Sequence, residues 1–504
     1  MGCLIGTLVG VLPGLGPSAA ISLLLPASFH INPAGAFIML AGVYYGAMYG
    51  GSTISILVNI PGEAASIVTC LDGYEMAKQG RAGPALGISA FGSFIAGTGS
   101  IVGLMLLAPP LANMALKFGP PEYTTLMILG LSVLTFLVRG SMIKALMIAA
   151  FGMFLSTVGV DAVSGVVRFS FDKVELMDGI GLVPVVMGLF GISEVLLNLE
   201  QTIAKEILET KIRSYLPTKR DWRNSIMPIL RGSLLGFFLG ILPGGGAILA
   251  SFTSYAVEKR VSRHPEKFGT GMIEGVAGPE AANNSATGGA FIPLLTLGIP
   301  SNVVMAILLG AMMIHGLQPG PNLIHEHSDV FWGVITSMYV GNGILLLLNL
   351  PLIPLWVQVL KVPYALFFPL ILLFCLIGAY SISFAMFDMV IMIVFGIIGY
   401  LMKKADYEAA PLVLALVLGN LFEDSLRQSL MLSDGSFLIF FNRPIAAIFL
   451  WVAIVLLISP VLPWLKKPRP SLGVEIQGLK RGNGFGTLDK KTEIASENST
   501  FPYC

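Results

Sequence analysis

Two short blocks rich in glycine and proline could bind an anion without any basic side chain. Residues 9–18 read VGVLPGLGPS and residues 239–248 read LGILPGGGAI. Proline breaks a helix because it lacks a backbone N–H and clashes with the preceding turn, and glycine permits unusual backbone angles. The helix that restarts, near Pro17 or Ser18 in the first block, presents unpaired N–H groups and about half a positive charge. The predicted substrate-binding residues here are Pro13, Gly14, Gly16, Pro17, Ser18, Pro243, Gly244, Gly245 and Gly246.

A second pair of blocks follows each of these in the same order. Asn59-Ile-Pro-Gly62 lies downstream of the first block, and Gly298-Ile-Pro-Ser301 lies downstream of the second. Each places Asn, Gly or Ser beside a proline, where such a residue can cap a half-helix. One isolated block would indicate close helix packing, whereas repetition with polar partners favours function. The substrate-binding residues predicted here are Asn59, Pro61, Gly62, Pro300, Ser301 and Asn302.

Glu280 borders a stretch, residues 281–325, that contains no Asp, Glu, Lys or Arg. An ionisable residue inside a membrane is costly and indicates a functional site. We predict that Glu280 and Thr287 bind a coupling cation or a proton, and that Asn283, Asn284 and Ser285 supply neutral ligands to substrate or Na⁺. The alternative is that Glu280 lies at the membrane edge and caps a helix that starts there.

The matching region of the first half, residues 44–53, carries tyrosines in place of the amides. Tyr49 and Ser52 are the substrate-binding residues predicted in it, and aromatic packing of the tyrosines is the alternative. The two halves are therefore expected to contact substrate differently.

The composition indicates a protein whose solvent is the bilayer. Hydrophobic residues make up 55% of the 504-residue chain, charged residues only 12%, and the mean hydropathy is +0.82. A spanning helix needs about 20 apolar residues, and the charge-free runs of this chain predict about 11–13 membrane segments, some of them broken or re-entrant. The fold class expected is an all-α polytopic membrane protein. Broken helices at corresponding positions of two halves indicate the binding site of a transporter.

The blocks predict two internal repeats and four regions of the chain. Residues 1–199 form a first membrane half with the LPGLGP block, and residues 200–225 form an amphipathic polar linker. Residues 226–465 form a second membrane half with the LPGGG block, and residues 466–504 form a disordered polar tail. The first segment, up to Leu12, is either half a span or the remnant of a longer native start.

Other chemistry is not indicated. The His325-Glu326-His327 run lacks a third metal ligand, the four cysteines have no metal-like spacing, and no GxxxxGK[ST], HExxH or GxSxG motif occurs. We expect no enzyme activity, no metal, no cofactor beyond the coupling cation, and no nucleic-acid partner.

Taken together, the blocks resemble the large membrane subunit (TctA type) of the bacterial tripartite tricarboxylate transporters. The residues that carry the likeness run from Gly6 to Pro17, from Gly240 to Gly246, from Glu274 to Asn284 and from Thr296 to Ser301. Family members usually carry more residues before the first block, which suggests a misassigned start.

The resemblance implies a secondary transporter of the bacterial inner membrane that is driven by a Na⁺ or H⁺ gradient. It implies a small membrane subunit and a periplasmic solute-binding protein as partners, and di- or tricarboxylates or similar organic anions as substrates. It also implies inverted repeats and a moving, elevator-like substrate domain. The alternative is a passive channel or a scaffold subunit of a membrane complex.

Overall fold

Helices make up most of the residues that the structure describes. The computed structural model describes residues 1–12, 15–137, 141–161, 163–200, 216–242, 244, 246–360 and 364–458. In the first half of the chain the helices are α1 (Gly2–Val11), α2 (Pro17–Ser28), α3 (Pro33–Val58), α4 (Ile67–Met76), α5 (Ala82–Ala115), α6 (Pro120–Leu137), α7 (Met142–Ser156), α8 (Leu182–Val186) and α9 (Ser193–Glu200).

The second half of the chain is also helical. Its helices are α10 (Lys219–Ile241), α11 (Gly246–Val261), α12 (Glu274–Gly289), α13 (Phe291–Leu297), α14 (Val303–Ile314), α15 (Leu323–Glu326), α16 (Ser328–Leu348), α17 (Ile353–Leu360), α18 (Tyr364–Ser383), α19 (Met386–Lys404), α20 (Ala410–Leu432), α21 (Ile439–Asn442) and α22 (Pro444–Ile458). Short 3₁₀ turns precede α4 (Ala64–Ser66) and lie at Val174–Leu176 and Pro265–Lys267, and π-helical segments lie at Ala77–Arg81 and Met187–Ile192. Two antiparallel strands, β1 (Gly159–Val160) and β2 (Val167–Arg168), complete the described elements.

Five helical segments of the described chain are long and apolar enough to cross a membrane. They are Ala64–Ala115, Leu182–Glu200, Lys219–Ile241, Ser328–Leu348 and Met386–Lys404. Six shorter apolar helices accompany them, among them α1, α2 and α14. The chain is an all-α polytopic membrane protein, as predicted. The number of crossings and the internal repeats stay predictions.

Glycines allow two pairs of helices to touch backbone to backbone. Along α1, a Cβ added to Gly6 would lie 2.4 Å from the carbonyl oxygen of Val43 in α3. Along α10, a Cβ added to Gly236 would lie 2.2 Å from the carbonyl oxygen of Ala282 in α12. Small residues permit this approach within a bilayer, where apolar burial alone does not draw helices together. The α1–α3 and α10–α12 pairs each place a helix that ends at a Gly/Pro block against the helix that leads to the next block.

The two halves of the chain form one compact unit, which extends from Met1 to Leu456. Helix α2 packs on α14, and α11 packs on the 3₁₀ turn before α4, so each half contacts the other near its blocks. Helix α10 begins at Lys219, inside the stretch predicted as the linker; residues 201–215 of that linker and the whole predicted tail lie outside the described residues. The four predicted regions stay predictions.

Candidate substrate and ion site

Both Gly/Pro blocks interrupt helices as the sequence predicts. Helix α1 ends at Val11, and α2 begins at Pro17, with Gly16 in extended backbone before it. In the second block, Gly244 and Gly246 have φ of 74° and 52°, in the left-handed region that favours glycine. Helix α11 begins at Gly246. The predicted site residues Pro13, Gly14, Pro243 and Gly245 lie outside the described residues.

Each downstream block forms a turn between two helices, and the two turns match at their first and last residues. Asn59, with φ of 58°, ends α3, and Gly298, with φ of 69°, ends α13. Four residues later, a side chain caps the next helix by accepting from its backbone. Glu63 accepts from the N–H of Ala65 at 2.6 Å, and Asn302 accepts from the N–H of Met305 at 3.0 Å. We call residues 59–63 the first turn and residues 298–302 the second turn.

The second turn is bonded to the second Gly/Pro block. The backbone N–H of Gly244 donates to the carbonyl oxygen of Ser301 at 2.6 Å, and Gly246 lies against the Asn302 side chain. Pro300 and Ser301 are buried, and the Ser301 hydroxyl oxygen has no hydrogen-bond partner. The first residues of α14 and α11 therefore lie next to each other, and the buried Ser301 hydroxyl beside them has no hydrogen-bond partner.

The first turn packs instead against glycine backbone. A Cβ added to Gly62 would lie 2.2 Å from the carbonyl oxygen of Gly10 and 2.5 Å from the Cα of Gly51. Only glycine fits there. Pro61 directly precedes this contact. The half-buried Ser18 lies at the start of α2, and among the described residues no side-chain hydrogen bond joins it to residues 59–63 or 298–302.

One hydrogen bond joins each turn to a helix of the other half of the chain. Asn302 donates from Nδ2 to the Tyr44 hydroxyl of α3 at 3.3 Å. Asn283 of α12 donates from Nδ2 to Oε1 of Glu63 at 3.2 Å. The polar groups of both turns therefore belong to one cluster in the middle of the fold.

Glu280 is fully buried within α12, which begins at Glu274, so it does not cap that helix. Its two carboxyl oxygens accept hydrogen bonds from the hydroxyls of Ser52 in α3 and Thr69 in α4. Among the described residues, no ion pair involves Glu280 or Glu63. Hydroxyl donors favour the charged form of a carboxyl group, whereas burial without a cationic partner disfavours it.

The remaining predicted residues of α12 face two directions. Asn284 donates to the Ser93 hydroxyl of α5 at 2.7 Å, and the Thr287 hydroxyl donates to the carbonyl oxygen of Asn283 at 3.0 Å. Ser285 points to α10, where it donates to the carbonyl oxygen of Ser233 at 2.7 Å. It lies on the helix-packing side of α12.

A small cavity lies beside the cluster, between α3, α5, α12 and α16. Tyr49 and Asn342 cross it, with the tyrosine hydroxyl donating to Oδ1 of Asn342 at 2.5 Å. Polar groups of Ser100, Asn284 and Thr287 also line it. Its size suits a water molecule or a small ion and not a tricarboxylate. No group of three or more His, Cys, Asp or Glu side chains suited to a metal ion occurs in the described part of the chain.

The sequence alone did not single out Glu63, Tyr44, Thr69 or Asn342. One signal could have found Glu63, because it is the first charged residue after 62 uncharged positions and directly follows a repeated block. Asn342 carried no such signal, since a lone amide within an apolar helix has no pattern that separates function from packing.

Comparison with known proteins gives a family and two relatives. The model of the tripartite tricarboxylate transporter TctA family matches residues 1–414. An uncharacterized 52.8 kDa protein in the TAR-I ttuC' 3'region of Agrobacterium vitis is 49% identical over 475 residues, which cover 94% of this chain and 95% of that protein. An uncharacterized protein in the TAR-II ttuC' 3'region of the same organism is 50% identical over 240 residues, or 48% of this chain and 99% of that protein. No solved structure matches.

Proposed function

Because the chain belongs to the tripartite tricarboxylate transporter TctA family, a family of transporter subunits and not of enzymes, we propose that it imports small organic anions. Di- or tricarboxylates arrive on a periplasmic solute-binding protein, and a small membrane subunit completes the transporter in the bacterial inner membrane. Uptake is coupled to a Na⁺ or H⁺ gradient.

One observation carries this proposal: the second turn brings a helix start, a neutral cap and a free hydroxyl together. Asn302 caps α14 without adding negative charge, and the buried Ser301 hydroxyl has no partner. A helix start carries about half a positive charge, and a buried hydroxyl without a partner is costly to maintain. A carboxylate at this position would accept from both and lower that cost.

Neutral donors suit a transporter better than a lysine or arginine would. A fixed cation would bind a di- or tricarboxylate tightly and slow its release, whereas hydrogen bonds to a charged group contribute about 1.5–3 kcal/mol each. The predicted substrate-binding residues that meet here are Gly244, Gly246, Pro300, Ser301 and Asn302. Asn283, Tyr49 and Ser52 lie in the adjoining cluster and are proposed to contact substrate or its accompanying ion.

Transport by the reconstituted complex tests the proposal. The chain, with its small membrane subunit, is placed in proteoliposomes, and radiolabelled citrate or succinate is supplied with the binding protein. Accumulation should disappear when both the Na⁺ and proton gradients are collapsed, and persistence without either gradient would contradict coupling.

The alternative of a passive channel or scaffold subunit predicts a different kinetic signature. A channel gives flux that does not saturate with substrate and shows no counterflow. Saturable exchange of external label for internal citrate, independent of any gradient, would separate a transporter from both alternatives.

A further inference from the structure

We infer that Glu63, Asn283 and Glu280 together form the site of the coupling cation, a proton or Na⁺, apart from the anion at the second turn. This inference rests on the proposed function and deepens it by adding Glu63 to the ion site and by assigning Asn283 to the cation and not to the substrate. It also assigns a different ligand to each turn: the first turn binds the cation, and the second turn binds the anion.

The three side chains are brought together by one helix and one turn. Asn283 lies three positions after Glu280 on α12, so both side chains occupy the same face of the helix. The amide of Asn283 reaches Oε1 of Glu63 at 3.2 Å. The side chain of Glu63 lies against Gly51 of α3, and the next residue, Ser52, donates to Glu280.

The buried carboxyl groups of Glu63 and Glu280 need a compensating positive charge. Relative exposures are 8% for Glu63 and 1% for Glu280, and no described ion pair supplies a lysine, arginine or histidine to either. Burying an ion without a partner costs several kcal/mol, and two like charges raise that cost. The pair is therefore stable only when one carboxyl holds a proton or when a cation lies between them.

An amide oxygen supplies an independent sign of the missing partner. Oδ1 of Asn283 is buried and has no hydrogen-bond donor, although Nδ2 of the same amide is engaged by Glu63. Carboxylate, hydroxyl and amide oxygens are the ligands that hard cations prefer, and a protonated carboxyl would equally donate to a free amide oxygen. The hydroxyls of Ser52 and Thr69 complete a set of oxygens around Glu280.

The charge arithmetic explains coupling. A bound proton or Na⁺ removes one negative charge from the cluster, and the anion then approaches a less negative region. In the absence of the cation, the two carboxylates and the substrate would repel one another. Anion and cation therefore bind best together and are carried together.

Direct ion binding by the purified complex tests the site. Binding of ²²Na⁺ is measured on the complex, and proton release or uptake on addition of citrate is followed with a pH indicator. The variants are Glu63→Gln and Glu280→Gln, with Glu75→Gln as the matched control because Glu75 is an exposed carboxyl of α4 that pairs with Lys78. Gradient-driven accumulation relative to exchange is recorded for each.

We expect both variants to lose either the Na⁺ binding or the citrate-linked proton movement, and accumulation relative to exchange to fall on the order of tenfold. The Glu75→Gln control should match the unaltered complex. The arm that is lost identifies the ion as Na⁺ or a proton. Ion binding and accumulation that survive in Glu63→Gln would overturn the inference, even if Glu280→Gln behaves as expected.

A further variant distinguishes loss of the ion site from loss of folding. Asn283→Ala keeps both carboxyls but removes the amide that donates to Glu63, and it should weaken ion binding with an unchanged elution profile. Unaltered ion binding in Asn283→Ala would also overturn the inference. A complex without any transport, but with ion binding that depends on Glu63, would contradict the proposed function and leave the ion site standing.

Discussion

The first and second turns match in backbone at their first and last residues but differ in charge. Both begin at a left-handed residue, Asn59 or Gly298, and both end at a side chain that caps the next helix. In the first turn the cap is the carboxyl of Glu63, and in the second it is the amide of Asn302. A carboxyl group caps the positive helix start of the first turn, whereas a neutral amide caps that of the second turn and leaves its positive charge without compensation.

This difference shows how one local fold can serve two kinds of ligand. A helix start is attractive to any anion, including a side chain of the same protein. Where Glu63 fills that position, it excludes a substrate carboxylate and attracts a cation. Where Asn302 fills it, the cap is retained without charge. Under the proposed function, the residue type at this one position decides which ion each turn accepts.

Gly62→Ser is expected to have the largest effect. It gives the first turn the residue type that the second turn carries at Ser301. The new Cβ would lie within 2.5 Å of backbone atoms of Gly10 and Gly51. Neither backbone can move without separating α1 from α3, so we expect a loss of about 3 kcal/mol or more of stability. Thermal denaturation of the purified chain measures this, and a melting temperature equal to that of the unaltered protein would contradict the described packing.

Asn302→Asp gives the second turn the charge of the first. Asp and Asn cap helices about equally, so stability should change by about 0.5 kcal/mol or less. A substrate carboxylate about 4 Å away would be repelled by about 4 kcal/mol, so citrate uptake should fall on the order of a hundredfold or more. Uptake is compared with that of Asn302→Ser, which keeps a neutral cap, and equal rates for the two variants would place the anion elsewhere.

Ser301→Ala removes the hydroxyl that has no partner in the second turn. No protein hydrogen bond is lost and a costly unpaired hydroxyl is removed, so the melting temperature should stay the same or rise. Loss of one hydrogen bond to a charged substrate should weaken citrate binding about tenfold or more. Half-saturation of uptake measures this, and an unchanged value would exclude the hydroxyl from the site.

The smallest effects overall are expected at Asn59 and Gly298, the residues with left-handed backbone at which the two turns begin. Asn59→Gly keeps a permitted backbone and should change stability by less than about 1 kcal/mol. Gly298→Ala should cost about 1–2 kcal/mol, because an L-residue is disfavoured at that φ and its Cβ would lie 2.7 Å from the carbonyl oxygen of Pro319. Thermal denaturation of both variants compares them, and a more stable Gly298→Ala would contradict the described turn.

The sequence predicted the fold class and the helix restart at Pro17, because hydropathy and proline act locally. It did not predict the partnership of Glu63 with Asn283, which joins residues 220 positions apart. Nor did it link Tyr44 to Asn302, 258 positions away. Periodicity carries no information on such contacts, and a polar residue within an apolar run does not reveal which helix it will face. The matched blocks could indicate that two turns exist, but only the packing of α12 between them relates their charges.

An experimental structure of the complex with bound citrate tests the central claim most directly. We predict that a carboxylate of citrate lies at the start of α14, within hydrogen-bonding distance of the Ser301 hydroxyl and the backbone beside Asn302. Citrate bound at the start of the helix that follows Glu63, with the second turn empty, would contradict the account.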